Sequence, residues 1–132
     1  MVENISVLRS DMDILEDLHN LIYTYPPASH DREYFHVTVQ DGVAKVSGHL
    51  RSIVVNHWMR GTLPQVEGLR ALDLDALYND DDLRLQVGQL VPPGVFVNVN
   101  HGAVTLTGRL PREVADVEVV QRVAPVKGVT RI

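Results

Sequence analysis

Two segments of the sequence are copies of one another: Val37-Thr38-Val39-Gln40-Asp41-Gly42-Val43-Ala44-Lys45-Val46-Ser47-Gly48-His49-Leu50 and Val97-Asn98-Val99-Asn100-His101-Gly102-Ala103-Val104-Thr105-Leu106-Thr107-Gly108-Arg109-Leu110. The offset of sixty residues continues without a gap to Gly68 and Gly128. Eight of the 32 aligned positions are identical, namely Val37, Val39, Gly42, Gly48, Leu50, Val54, Val66 and Gly68 with their counterparts. A period of this length predicts two copies of one small supersecondary module.

Composition excludes several classes of protein. The 132 residues are 45 % hydrophobic, which is enough for one modest core or two small ones. The net charge of −5 does not provide the positive field that nucleic acids require, so no nucleic-acid partner is expected. The absence of cysteine excludes disulfides and thiolate metal sites. No apolar run is long enough for a membrane span, and the amino end does not resemble a secretion signal. We therefore expect a cytoplasmic protein as written, or a periplasmic one if a signal has been removed.

The repeated segment has the alternation of a β-hairpin. A two-residue Asp41-Gly42 turn would place Val39 opposite Ala44 and Val37 opposite Val46 on an apolar face. His101-Gly102 would form the second turn, with a positive φ at His101. Polar side chains fill the other face of each hairpin, as in a sheet that is covered on one side.

Helices are predicted on both sides of each hairpin. In the first copy, Ser10 would cap an amphipathic helix that ends before Pro26, preceded by a lead-in or helical extension over residues 1–10 and followed by a polar loop to Tyr34. After the hairpins, Ser52 would begin a helix to about Leu63, and Pro111 one to about Val123. Val114, Val117 and Val120 would form the buried stripe of the last helix. Short third strands are expected at Leu69 to Leu74 and at Val129 to Ile132, with a linker from Asp73 to Asp82.

The predicted fold class is α+β. Each module has the order helix, strand, strand, helix, strand, and forms a three-stranded mixed sheet with two helices on one face. The predicted domains are residues 1–78 and 79–132. Two packings of the polar sheet faces are consistent with the sequence: either they are exposed, or the two sheets pair about a pseudo-twofold axis.

The pattern Val-x-Val-x-Asp-Gly-Val-x-x-Val-x-Gly, followed by a helix and Val-x-Gly-Leu, resembles the BON domain, named for bacterial osmotic-stress and nodulation proteins. Tandem copies and the same order of elements are common in that family. The resemblance implies a non-catalytic binding or assembly module associated with phospholipid surfaces, envelope proteins or stress responses. The family pattern contains no catalytic residue and no cofactor site.

The polar sheet faces are the candidate binding surfaces. The candidate binding residues on these faces are His36, Lys45, His49, Phe96, Asn98 and Arg109. Phe96 is an aromatic side chain on a polar face, which is typical of a contact surface. His36 and His49 lie diagonally across one hairpin, but two histidines are too few for a metal site, and none is predicted. The run Asp80-Asp81-Asp82 resembles a cation site but is better explained by acids at a helix amino end.

Three functions remain open at this level. The first is a binding or assembly module for a lipid surface or a protein partner. The second is a cytoplasmic sensor of a cation or small ligand. The third is a structural domain that forms homo-oligomers. No enzyme activity is expected, because no nucleophile with its base and no perturbed pair of carboxylates is visible.

Overall fold

The computed structural model of the protein describes residues 9–132. The expected lead-in at residues 1–8 lies outside this range. The helices are α1 (Asp11–Tyr23), α2 (Pro26–Ser29), α3 (Ile53–Thr62), α4 (Asp80–Gly88) and α5 (Asp116–Val123), and the strands are β1 (Phe35–Gln40), β2 (Val43–Leu50), β3 (Ala71–Asp73), β4 (Leu77–Asn79), β5 (Val95–Asn100) and β6 (Ala103–Gly108). The predicted α+β class is confirmed. In the described range, no helix is both long and apolar enough to cross a membrane.

In the first module, both helices pack on one face of the sheet. The β1–β2 hairpin has the predicted register, with Val39 opposite Ala44 and Val37 opposite Val46. Strand β3 pairs parallel with the start of β2, as a helical crossover requires. Alternation in β2 directs Ala44, Val46 and Leu50 to α1 and α3, where they form a core with residues that include Ile14, Leu18, Ile22, Val55, Met59 and Leu63.

The second module repeats this arrangement with a smaller sheet. Strands β5 and β6 pair in the predicted register, and His101 has a φ of 47° at the turn, as expected. The predicted third strand is reduced to one parallel bridge between Ala103 and Arg131. The core consists of Leu83, Val87, Val99, Val104, Val119 and Val123.

The buried stripe predicted for the last helix was wrong. After Pro111 the chain makes one turn, and α5 begins only at Asp116 because Ala115 is extended, with φ −83° and ψ 147°. Val119 and Val123 are buried, whereas Val117 is 59 % exposed. The corresponding residues of the first module, Met59 and Leu63, are buried as well, so both modules use the same stripe.

Two segments predicted to be irregular contain regular structure. The loop after Pro26 includes the single turn α2, because Pro26 and Pro27 fit the first positions of a helix. The linker from Asp73 to Asp82 contains β4, which pairs parallel with the end of β2. Strand β2 therefore binds β3 at its start and β4 at its end, along the same edge.

The repeat also extends to the residues before each first helix, at an offset of 69. Ser10 and Asn79 are both N-caps, and their side chains accept hydrogen bonds from Asp13 N and Asp82 N. The carboxylate of Asp11 accepts hydrogen bonds from Asp41 N and Gly42 N, both at 2.9 Å, which ties the start of α1 to the hairpin turn. The larger offset results from the longer loop between helix and hairpin in the first module.

Candidate functional site at the module junction

Asp31 is a buried carboxylate between the two modules. Its side chain is 1 % exposed and lies in the loop after α2. One oxygen accepts a hydrogen bond from Arg51 N at 3.1 Å, and the other accepts from Arg51 Nε at 3.0 Å. His101 Nε2, from the second module, donates to the same Asp31 Oδ1 at 2.8 Å. A buried carboxylate needs such partners, so Asp31 holds His101 in position.

His101 links the modules because its backbone and its ring have different partners. Its backbone N–H and that of Gly102 donate to the Asp80 carboxylate, at 2.8 and 3.2 Å, within the second module. Its ring stacks on Tyr34 of the first module, with centroids 3.5 Å apart and planes at 6°. The left-handed turn therefore directs the imidazole into the junction while the hairpin stays closed.

A second contact joins the end of β2 to the end of the second module. His49 Nε2 donates to the carbonyl oxygen of Gly128 at 2.6 Å, and its ring lies 5.8 Å from that of Tyr78. A Cβ atom at Gly128 would lie 2.7 Å from the Tyr78 ring, so only glycine allows this approach. These residues, together with Asp31, Tyr34, Arg51, Asp80, Asp81, His101 and Gly102, are called the junction below.

Each carboxylate of the acidic run has a protein partner. Asp80 binds the turn amides, as described above. Asp81 accepts a hydrogen bond from Ile53 N at 2.9 Å and so caps α3 of the other module. Asp82 accepts from the Asn79 side-chain amide at 3.0 Å. The three acids lie in the first turn of α4, as predicted. In addition, Asp81 connects the two modules. Within residues 9–132, no group of three or more His, Asp or Glu side chains is arranged to hold a metal ion.

The six predicted site residues do not form one surface. His36 and Lys45 are exposed on the outer face of the first sheet, while His49 continues that face into the junction. Because His49 binds Gly128, it does not pair with His36 as a two-histidine site would require. Phe96, Asn98 and Arg109 are exposed on the second module, and Phe96 is 70 % exposed. Among residues 9–132, the outer faces of both sheets are therefore largely exposed, and the two sheets do not pair about a pseudo-twofold axis.

Of the junction residues, only His49 was among the predicted sites, although more of the junction could have been found in the sequence. The motifs Ser10-Asp11-Met12-Asp13-Ile14 and Asn79-Asp80-Asp81-Asp82-Leu83 share a cap, two acids and an apolar residue at the same spacing. Aligning them would have assigned Asp80 the role of Asp11. Asp31 gave no such signal, because its partner His101 is seventy residues away.

The chemistry available at the junction is structural. Both oxygens of Asp31 accept hydrogen bonds from Arg51, and one of them also binds His101, so each oxygen has a protein partner. The interactions are short, directional and partly buried, and they involve both ends of the second module. They can therefore fix the relative orientation of the two sheets.

The fold is similar to that of two solved structures of CdsD, a structural protein of the type III secretion system of Chlamydia trachomatis. The structure of the CdsD C-terminal domain has a TM-score of 0.63 and 16 % identity, over 93 % of this chain and 64 % of that chain. The other has a TM-score of 0.64 and 18 % identity, over 93 % of this chain and 60 % of that chain. Identity this low shows a shared fold alone, and this chain spans less than two thirds of either CdsD chain.

No protein-family model matches the sequence. No curated protein matches it either. Membership of the BON family therefore stays a prediction that rests on the glycine and valine pattern of the two hairpins.

Proposed function

We propose that the protein is a non-catalytic structural module that associates with further copies of itself. The observation that carries this proposal is the unequal completion of the two sheets. In the first module, the outer edge of β2 is paired along two stretches, by β3 and β4. In the second module, β6 is paired at that edge only at Ala103, among residues 9–132. An open strand edge favours the addition of another strand.

Exposed apolar side chains next to that edge support the proposal. Leu110, Val120 and Ile132 are all about two fifths exposed, at 38 %, 40 % and 42 %. They lie together around a groove between β6 and α5. An apolar surface of this kind favours a protein contact, because its burial releases water from nonpolar area.

The hydrogen bonds at the junction support the same function. A subunit that assembles must present its surfaces at a fixed angle, and the Asp31, His101 and His49 contacts provide this. The similarity to CdsD, a structural protein, agrees with such a role. The net charge of −5 opposes simple attraction to anionic lipid, and the acidic run that suggested a cation sensor is occupied by protein donors.

Sedimentation velocity over a concentration series, from low micromolar to near millimolar, tests the proposal. The weight-average sedimentation coefficient should rise with concentration, because a weak self-association shifts toward oligomers by mass action. A single species of 14.7 kDa at every concentration would rule out self-association.

A further inference from the structure

The open edge of β6 corresponds in position to the edge that β4 occupies in the first module. There, Gly48, His49 and Leu50 pair with Leu77, Tyr78 and Asn79, and Gly48 N donates to the Ala76 carbonyl oxygen at 3.0 Å. The equivalent residues of the second module are Gly108, Arg109 and Leu110. Arg109 N donates inward to Gly94 O at 3.0 Å, so alternation directs the Gly108 N–H outward, where a further strand would bind.

The adjacent groove could hold an apolar side chain that the core of the second module lacks. Its volume is ≈ 420 Å³, and most of its lining is apolar: Val104, Leu106, Leu110, Val119, Val120 and Ile132. In the first module, Leu77 of β4 pairs with Gly48 of β2 and is buried in the core to which residues of α3 also belong. The groove is thus the place where a leucine of an added strand would be buried.

The repeat identifies the segment that matches this place. Strand β4 directly precedes α4, and the segment in the same position before α1 is Leu8-Arg9-Ser10. Three features establish the correspondence: Ser10 and Asn79 are both N-caps, Arg9 covers Gly68 as Tyr78 covers Gly128, and Leu8 has the sequence position of Leu77. Arg9 and Ser10 lie beside the first hairpin turn, so they are held away from β6 of the same chain. Within residues 9–132, the segment that matches this edge can therefore reach it only from a second copy of the chain.

We propose that the β6 edge and its groove bind residues 8–10 of a second copy of this chain, as a parallel strand in the register of β4 on β2. The proposal rests on the self-association proposed above and names its surface. Donor and acceptor lie on different parts of the molecule, so the contact is heterologous and produces head-to-tail rings or filaments.

This contact would be weaker than the junction within the chain. Arg109, in the place of His49, can donate to the carbonyl oxygen of the second copy's Gly68. However, Met12 stands where Asp81 caps α3, and the short Pro92-Pro93-Gly94 turn has no counterpart of Asp31. Fewer polar contacts predict association that depends on concentration.

Cysteine cross-linking tests the register, since the chain contains no natural cysteine. His49 and Tyr78 are direct partners in the parallel pair, so Arg109 and Arg9 should be partners between copies. Two single variants, Arg9→Cys and Arg109→Cys, are mixed in a glutathione redox buffer. Mixed disulfide dimers should exceed those from the matched control, Arg9→Cys with Asn98→Cys, at least fivefold, because Asn98 is exposed on the same module but lies away from the edge.

Equal yields from the two mixtures would overturn the proposed contact. A second variant, Leu110→Asp, places a charge in the groove and should weaken self-association in sedimentation at least tenfold. If the natural protein associates but neither result is obtained, self-association stands and another surface is responsible. If the natural protein does not associate, both proposals are wrong.

Discussion

Removal of the Asp80 carboxylate is expected to destabilise the protein more than removal of Asp11, which occupies the same position in the first module. Asp80 is 2 % exposed and binds the backbone N–H groups of His101 and Gly102. Two hydrogen bonds to a charged acceptor, each worth roughly 1.5 kcal/mol, predict a loss of about 3 kcal/mol for Asp80→Ala. Because Gly102 is buried, water cannot replace the carboxylate there.

Asp11→Ala provides the matched comparison, since it removes the same two-bond contact in the first module. Asp41 is exposed, so water can bind its N–H, whereas Gly42 is buried like Gly102. Only one of the two hydrogen bonds is then lost without replacement, and we expect a smaller loss, of about 1.5 kcal/mol. Asp13→Ala removes an exposed first-turn acid and should cost roughly 0.5 kcal/mol through the helix dipole alone.

Urea unfolding measures these differences. Far-ultraviolet circular dichroism reports on both modules, and the fluorescence of Trp58, the single tryptophan, reports on the first, where it stacks on Tyr25. If Asp80→Ala lowers the free energy of unfolding no more than Asp11→Ala does, or by the same amount as Asp13→Ala within error, the buried contact of Asp80 with the hairpin turn does not stabilise the second module as described.

Three further changes test the packing. Val119→Ala should cost about 2 kcal/mol because Val119 is buried, whereas Val117→Ala should change stability by less than about 0.5 kcal/mol. Thermal unfolding measures both. A larger loss for Val117→Ala would show that the buried stripe is the one predicted from the sequence. Gly48→Ala should destabilise the protein by more than about 2 kcal/mol, because φ is 125° and the new Cβ would overlap the Tyr34 carbonyl oxygen. Gly61→Ala in α3 should be neutral or stabilising. Similar melting temperatures for the two variants would contradict this. His49→Ala should loosen the junction and increase the radius of gyration in X-ray scattering, and an unchanged value would show that His49 does not hold the modules together.

The hairpins could be predicted in detail because their determinants are local. A two-residue turn sets the pairing, and alternation then assigns every side chain to a face. The register from Phe35 opposite Gly48 to Gln40 opposite Val43 follows from Asp41-Gly42 alone. His101 follows the same rule despite its unusual side chain.

The last helix could not be placed for the opposite reason. Valines occur at 114, 117, 119, 120, 123 and 126, so two different stripes have helical spacing. Only packing against Val99 and Val104 selects Val119 and Val123. Strand β4 was missed because three residues are too few for a pattern, and its stability comes from the edge of β2 and the burial of Leu77. The junction depends on partners far apart in sequence, which local patterns do not show.

His101 separates the stability of a hairpin from the alignment of two modules. Its left-handed position would accept Asn or Gly with less strain, as such turns prefer. Neither residue could reach Asp31 or stack on Tyr34 as the imidazole does. Selection for the thermal stability of the second module alone would therefore replace this histidine. The selected variants would have a higher melting temperature, but the orientation of their two sheets relative to each other would vary.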